Sequence, residues 1–442
     1  MRDLNECRAE IFRRSQERIR ERKNKFKKIL TSSVCFCLAM LCAVNLFFNG
    51  GLRLNAEDLM RGIRGAKIEK IEDLSRQNAA VTDFAVRLLK AAYTDDDNTL
   101  ISPLSVLSAL AMVSNGVDGE TLEEMEEVFG MTREDLNLYL YSYISDLPQG
   151  RKYKLKLANS LWITEDENFT VNRDFLQTNA DYYSADVYKA PFDDSTLKDI
   201  NDWVNDRTDG MIPEILDDLP NDAVMYLINA LSFEAEWQEI YDSDQVDEDV
   251  FTKEDGTEQL RTFMRSGESK YLGDKSATGF IKYYAGGRYA FAALLPRKGM
   301  SVEKYLDTLD GESLNDLLVN ALDCDVSAYI PKFESGYTVE LSEVLKNMGI
   351  NVAFDQLNAD FESLGSYADG NIYIGRILHK TNISVAEKGT KAGAATAVEV
   401  LLEANARYAP KVVKLNRPFV YMLIDCENNI PFFIGAMMGI GQ

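Results

Sequence analysis

The sequence predicts a mixed α/β (α+β) fold in one large domain, and three observations lead there. Apolar residues recur at helical spacing over residues 78–93 (Val81, Phe84, Ala85, Leu88, Leu89), as they do over 341–354. Strand signals lie between these helices, with alternation over 155–162 and a long apolar run over 225–237. The chain has 442 residues, 46% hydrophobic and 27% charged, enough to bury one large core or two ordinary ones. No internal repeat or low-complexity tract divides it.

Residues 1–28 carry periodic Arg, Lys and Glu and end in Lys27-Lys28, a basic segment expected on the cytoplasmic side. Residues 29–48 are 20 positions without a charge. At ~1.5 Å per residue they cover a hydrocarbon layer of roughly 30 Å. A transmembrane anchor is expected, its basic flank inside and the C-terminal body outside. A cleaved signal peptide, and hence secretion, is the alternative, although its basic region would be long and no clear Ala-x-Ala site precedes Gly51. Ala-Met-Leu-Cys at Cys42 is a poor lipoprotein signal. Residues 49–67, with Gly50, Gly51, Gly62 and Gly65 among charges, read as a linker, and 68–442 as the folded body.

Within that body the helix of 78–93 closes at an Asp-rich turn over 95–97. Ser102-Pro103 leads into a helix through Val113, since proline suits a first helical turn, and Gly119-Glu120-Thr121 starts another through Val128. The strand 225–237 carries Asn229 in its apolar part; a buried amide there must find partners, because an unsatisfied one costs ~1–3 kcal/mol. Further strand and turn signals lie at 251–255, 289–296 and Ile330-Pro331-Lys332-Phe333. Residues 341–354 form an amphipathic helix ending at Gly349, and 419–424 and 431–437 are the last two strands.

The net charge is −23, of which residues 1–50 contribute +6 (11 Lys/Arg against 5 Asp/Glu), leaving −29 for the remainder. Such a body repels phosphate and anionic lipid, so nucleic acid is not an expected partner. Of six cysteines, Cys7, Cys35, Cys37 and Cys42 are N-terminal and only Cys324 and Cys426 lie in the body; free thiols are expected, with a pairing of those two left open. No phosphate loop, Cys-x-x-Cys pair or His-containing metal cluster is present, so no cofactor or metal is expected. His379 is the only histidine. Any Ser-His-Asp or Cys-His catalysis would have to use it, yet its apolar, strand-like setting suits a hydrogen-bonded core residue. With 71 Asp/Glu no catalytic carboxylate pair stands out, and the chain is not expected to be an enzyme.

Residues 387–400, Glu-Lys-Gly-Thr-Lys-Ala-Gly-Ala-Ala-Thr-Ala-Val-Glu-Val, suit two incompatible conformations. Gly389, Gly393 and four alanines suit a mobile loop. With a period of two, however, Thr390, Ala392, Ala394, Thr396, Val398 and Val400 share an uncharged strand face, and Lys391 and Glu399 fall on the other. A Gly/Ala linker between two strands is the plain alternative.

With Ile377-Leu378-His379-Lys380 before it and Leu415-Asn416-Arg417-Pro418-Phe419-Val420-Tyr421 after it, this stretch resembles the hinge of the serpins, serine protease inhibitors. Lys391 and Gly393 depart from the family's Glu and Ala. The resemblance covers roughly residues 70–442 and is to a bacterial-type serpin with an N-terminal anchor or signal segment. It implies helices around a large, mainly antiparallel central sheet, smaller sheets and an exposed reactive loop. It also implies a hinge at Glu387, Gly389, Thr390, Ala392, Ala394 and Thr396, a central polar cluster called the shutter (Ser102, Ser105, Asn229, His379), and Trp237 where the loop enters the sheet. Without the resemblance Trp237 is a core aromatic.

The implied activity is extracellular suicide inhibition of a serine protease, the partner being held as a covalent acyl-enzyme while the cleaved loop inserts. A monomer is expected. Counting from the hinge by the family's spacing puts the reactive bond at Glu403-Ala404, within 402–406; counting back from Pro418 reaches Arg407 instead. The aliphatic and small side chains nearby, Leu402 and Ala406 among them, favour an elastase-like or subtilisin-like target. A non-inhibitory serpin acting as a surface binding or structural protein is the alternative function, and a secreted hydrolase a further one.

Overall fold

The computed structural model describes residues 54–147, 152–219, 224–368, 370–390 and 410–441. The expected anchor (29–48), the hinge residues Ala392, Ala394 and Thr396, and the bond candidates Leu402, Glu403, Ala404, Ala406 and Arg407 lie outside them. Among the described residues no helix is long and apolar enough to cross a membrane.

Nine α-helices are described: α1 (Ser75–Ala92), α2 (Pro103–Ser114), α3 (Gly119–Phe129), α4 (Arg133–Ser145), α5 (Arg173–Tyr183), α6 (Asp194–Arg207), α7 (Val302–Thr308), α8 (Gly311–Val319) and α9 (Ser342–Met348). Helix α1 lines its buried stripe with Val81, Phe84, Ala85, Leu88 and Leu89. Helix α2 is buried at every position, starts at Pro103, and is capped by Ser102, whose side chain accepts from the Ser105 N–H.

The strands are β1 (Glu57–Asp58), β2 (Thr99–Ile101), β3 (Tyr153–Thr164), β4 (Phe169–Val171), β5 (Asp186–Ala190), β6 (Met225–Glu236), β7 (Val246–Thr252), β8 (Glu258–Gly273), β9 (Ala277–Tyr283), β10 (Tyr289–Pro296), β11 (Leu322–Pro331), β12 (Phe333–Glu340), β13 (Gly365–Tyr367), β14 (Arg376–Ala386), β15 (Gly389–Thr390), β16 (Lys411–Lys414), β17 (Phe419–Asp425) and β18 (Ile430–Met437). Seven form a sheet in the order β1-β5-β3-β6-β15-β14-β12. Its joints are antiparallel except β3 with β5 and β6 with β14. A nine-stranded sheet runs β16-β11-β8-β9-β10-β17-β18-β2 with β7 on β8, and β4 and β13 make a small pair.

The β6–β14 joint determines where a site can form. These two strands are registered directly only from Tyr226↔Arg376 to Ala230↔Lys380. Further along they diverge, and β15 fills the opening, with Thr390 opposite both Ala235 and Val385. The seam is closed at one end and wedged at the other.

The linker expected over residues 49–67 differs in its described part. Glu57 and Asp58 pair with β5, and Leu59 N–H donates to the Val187 carbonyl at 2.9 Å. Asp199 of α6 accepts from the backbone N–H groups of Asn55 (2.5 Å) and Ala56 (2.8 Å) and from the Asn55 amide (3.0 Å). Leu54 and Ala56 pack on the cluster around Trp162, Trp203 and Tyr226, and Leu59, Met60 and Ile63 on the main core. Gly65 approaches Ala180 so closely that a Cβ would lie 2.4 Å from its carbonyl oxygen. Glycines and charges made this segment look like a tether, but its sparse apolar residues hold it on the body. Cys324 and Cys426 are free.

Candidate functional site

Two groups of side chains flank the seam. At its closed end, parallel registration puts Asn229 beside His379, and the antiparallel β3 puts Asn159 on the other side of Asn229. The Asn229 carbonyl oxygen accepts from Ser105 Oγ at 2.8 Å and lies 2.6 Å from His379 Nδ1. Its amide donates to the Ser105 carbonyl and, at 2.6 Å, to Asn159 Oδ1. All four hydrogen-bonding capacities of that amide are used, which removes the cost of burying it. Ser102 N–H donates to His379 Nε2 at 3.1 Å, so Nε2 is unprotonated and Nδ1 carries the proton given to Asn229. Ser102, Ser105, Asn229 and His379 are all fully buried, and burial lowers the His379 pKa to about 3.

The structure therefore brings together all four residues of the expected shutter. His379 is neutral, with one ring nitrogen on a backbone donor and the other on an amide. One member was not read from sequence, Asn159; Thr381, two residues beyond His379 on β14, is also buried, its hydroxyl donating to the Leu100 carbonyl at 2.7 Å. Asn159 carries a detectable signal, being a second amide inside an alternating strand.

At the wedged end the chain turns from β14 into β15 at Gly389, whose φ is +143° and whose added Cβ would sit 2.0 Å from the Ala235 carbonyl oxygen. Only glycine fits. Thr390 is 1% exposed, and its hydroxyl lies 2.6 Å from Tyr284 Oη. Trp237, immediately after β6, is bridged to Tyr284 and stacked on its ring at 4.3 Å and 7°. Its indole N–H donates to the Ala386 carbonyl at 2.8 Å, and its backbone N–H to the Lys388 carbonyl at 2.9 Å. Tyr241 N–H donates to the Glu387 carbonyl at 2.9 Å.

Glu387 pairs with Lys332 at 3.0 Å. Partial burial acts to raise its pKa, but its own backbone N–H and Lys332 outweigh that and lower it. Residues 386–390 are thus held by five groups from four residues, Trp237, Tyr241, Tyr284 and Lys332, and the expected hinge residues Glu387, Gly389 and Thr390 lie in this grip. Tyr241, Tyr284 and Lys332 were missed because nothing in their local pattern marks them.

The arrangement seats a strand's first residues in a seam whose other end is closed by a satisfied polar cluster. Among the described residues no group of His, Cys, Asp or Glu could hold a metal ion.

The Serpin (serine protease inhibitor) family model matches residues 79–440. The chain is 29% identical over 367 residues to an uncharacterized serpin-like protein of Thermococcus kodakarensis (81% of this chain, 84% of that one). It is 29% identical over 384 residues to the leukocyte elastase inhibitor of Equus caballus (83% and 99%). Among solved structures it is similar to the thermophilic serpin tengpin in the native state, with TM-score 0.84, 44% identity and coverage of 88% of this chain and all of that one. Against tengpin in the latent state the TM-score is 0.75 at 45% identity, covering 85% and 100%.

Proposed function

This chain belongs to the serpin family, whose members are generally protease inhibitors rather than enzymes, and on that premise we propose that it inhibits a serine protease as a suicide substrate. The observation that carries the reading is the seated hinge, with Gly389 and Thr390 laddered between β6 and β14 above a directly paired stretch. A protease cutting the chain beyond the hinge forms an acyl-enzyme. The freed strand then advances by opening the seam, trading the five β6–β14 register pairs for ladders on both sides. Thr390 faces the core, so Ala392, Ala394 and Thr396 would face it too once extended. All are small enough to be buried there. The covalently attached protease is carried along before deacylation, and the molecule acts once, as a monomer.

We place the cut at Glu403-Ala404 and the target among elastase-like or subtilisin-like enzymes, on the hinge spacing and the aliphatic surroundings. The uncharged segment 29–48 and its basic flank support display of the inhibitor outside the membrane on a single span.

The test is incubation of the full-length protein with a panel of serine proteases, followed by denaturing electrophoresis. A covalent complex resistant to SDS is expected. Loop cleavage without any complex would favour a non-inhibitory surface protein, and no cleavage at all would reject the loop assignment. In intact cells, an impermeant thiol reagent should label Cys324 and not Cys7.

A further inference from the structure

Behind the Trp237–Tyr284 platform lies a buried ion pair. Lys282 of β9 and Glu268 of β8 meet at 3.0 Å, with side chains only 3% and 9% exposed. Two residues before Tyr284, Lys282 shares its strand face. Its ammonium lies 4.5 Å from the centre of the Tyr241 ring and 5.4 Å from that of Trp237, within the range of a cation–π attraction. Glu268 is held in turn by Ser266, whose hydroxyl donates to it at 2.6 Å and lies 3.2 Å from Tyr241 Oη. The two rings that Lys282 touches belong to the residues whose N–H groups hold the carbonyls of Ala386, Glu387 and Lys388. A single desolvated cation thus binds both sides of the grip on the hinge, and a carboxylate from the next strand keeps it there.

A buried pair of this kind is a poor source of net stability, since hydrophobic replacements of similar volume often serve as well. Its geometry points elsewhere. We propose that Lys282 is a positioning residue for loop insertion, orienting Trp237 and Tyr241 so that residues 386–390 stay seated and the strand that follows them starts in register. The inference rests on the reading that this chain works by inserting its loop. With the cation gone, the rings keep their volume but lose the attraction that fixes them. The hinge then unseats more often, insertion starts later, and more of the acyl-enzyme deacylates first.

The test compares full-length wild type with Lys282→Met, Lys282→Arg and the double variant Lys282→Met/Glu268→Gln against a protease that wild type traps. Readouts are the stoichiometry of inhibition, the affinity of initial binding and tryptophan emission. Lys282→Met should raise the excess of the stoichiometry over one about thirtyfold, the factor matching one desolvated cation–ring contact of about 2 kcal/mol, shift the emission, and leave initial binding unchanged. Lys282→Arg should restore wild-type values. The double variant, which leaves no unpaired buried charge, should fold as wild type does yet inhibit as poorly as Lys282→Met.

Wild-type stoichiometry in Lys282→Met overturns the proposal, as does an arginine variant as defective as the methionine one. So does recovery in the double variant, which would put the defect on the orphaned carboxylate. If no protease is trapped by wild type, the proposed function fails separately. Lys282 is then tested by nicking the loop with a non-target protease and following the gain in thermal stability as it inserts. Equal rates in all four proteins, or no gain in any, overturn the proposal.

Discussion

Tyr284 Oη and Thr390 Oγ1 lie 2.6 Å apart beneath the sheet, joining the second strand residue of the hinge to a ring that stacks on Trp237. Tyr284 is fully buried and its pKa is raised by desolvation, so the phenol stays neutral and can exchange donor and acceptor roles with the threonine. The first side chain of the short strand β15 therefore already occupies a buried socket.

Replacement of Thr390 tests that socket. Thr390→Arg would force a cation into a site that is 1% exposed, at a cost of several kcal/mol even after relaxation. The expected outcome is a folded protein that is cleaved but traps little or no protease, read as loss of the SDS-stable complex with retained cleavage. Thr390→Val, which keeps the volume and loses only the hydroxyl contact, should retain most trapping.

Acid should loosen the closed end of the seam. The folded-state pKa of His379 is depressed to about 3 from 6.5, so the unfolded chain binds the extra proton first. The contribution of His379 is therefore complete above about pH 6.5 and is lost as pH falls towards 3, at up to ~1.4 kcal/mol per pH unit. Protonation would also set an Nε2–H against the Ser102 N–H that now donates to it. Denaturant midpoints of wild type and His379→Gln across this range should show the excess acid sensitivity in wild type only.

Asp199 fastens the segment ahead of α1 through three hydrogen bonds. Asp199→Ala leaves two backbone donors without that acceptor, and a loss of about 1–3 kcal/mol is expected. Trypsin should then cut first at Arg61 or Arg64, read by mass spectrometry of a brief digest, while wild type resists at both.

The released C-terminal peptide identifies the cut. A fragment beginning at Ala404 is expected from the hinge spacing. One beginning at Tyr408 would make Arg407 the bait and move the target towards trypsin-like enzymes.

Legibility in the sequence followed the number of buried faces. Tyr289–Pro296 is buried at all eight positions, and its unbroken apolar run can be read residue for residue. The stripe of α1 is equally plain. In contrast, the Tyr-rich run of α4 imitates strand alternation while Leu136, Tyr139, Leu140 and Tyr143 bury a helical face. The 16-residue β8 alternates poorly because exposed and half-buried positions interrupt it. The shutter residues could be named through the family resemblance, since His379 and Asn229 announce themselves as polar residues in apolar strands. The Lys282–Glu268 pair could not, because two charges 14 positions apart carry no local mark of burial. Residues 54–67 escaped because they dock through single contacts rather than through a period.

Gly389 leaves one backbone geometry at the turn, and the antiparallel pairing of Thr390 with Ala235 then acts as the zero of a ruler. Continued in that register, each further residue meets the next one back along β6, and Val400 falls opposite Met225, where the strand begins. In the proposed mechanism the strand would travel about 34 Å at ~3.4 Å per residue, a length set by the sheet and not by the protease. Residues added beyond Val400 lengthen the leash between sheet and captive without lengthening the haul. Residues added between Thr390 and Val400 would leave the haul unchanged as well, but would put the wrong side chains on the core face whenever their number is odd.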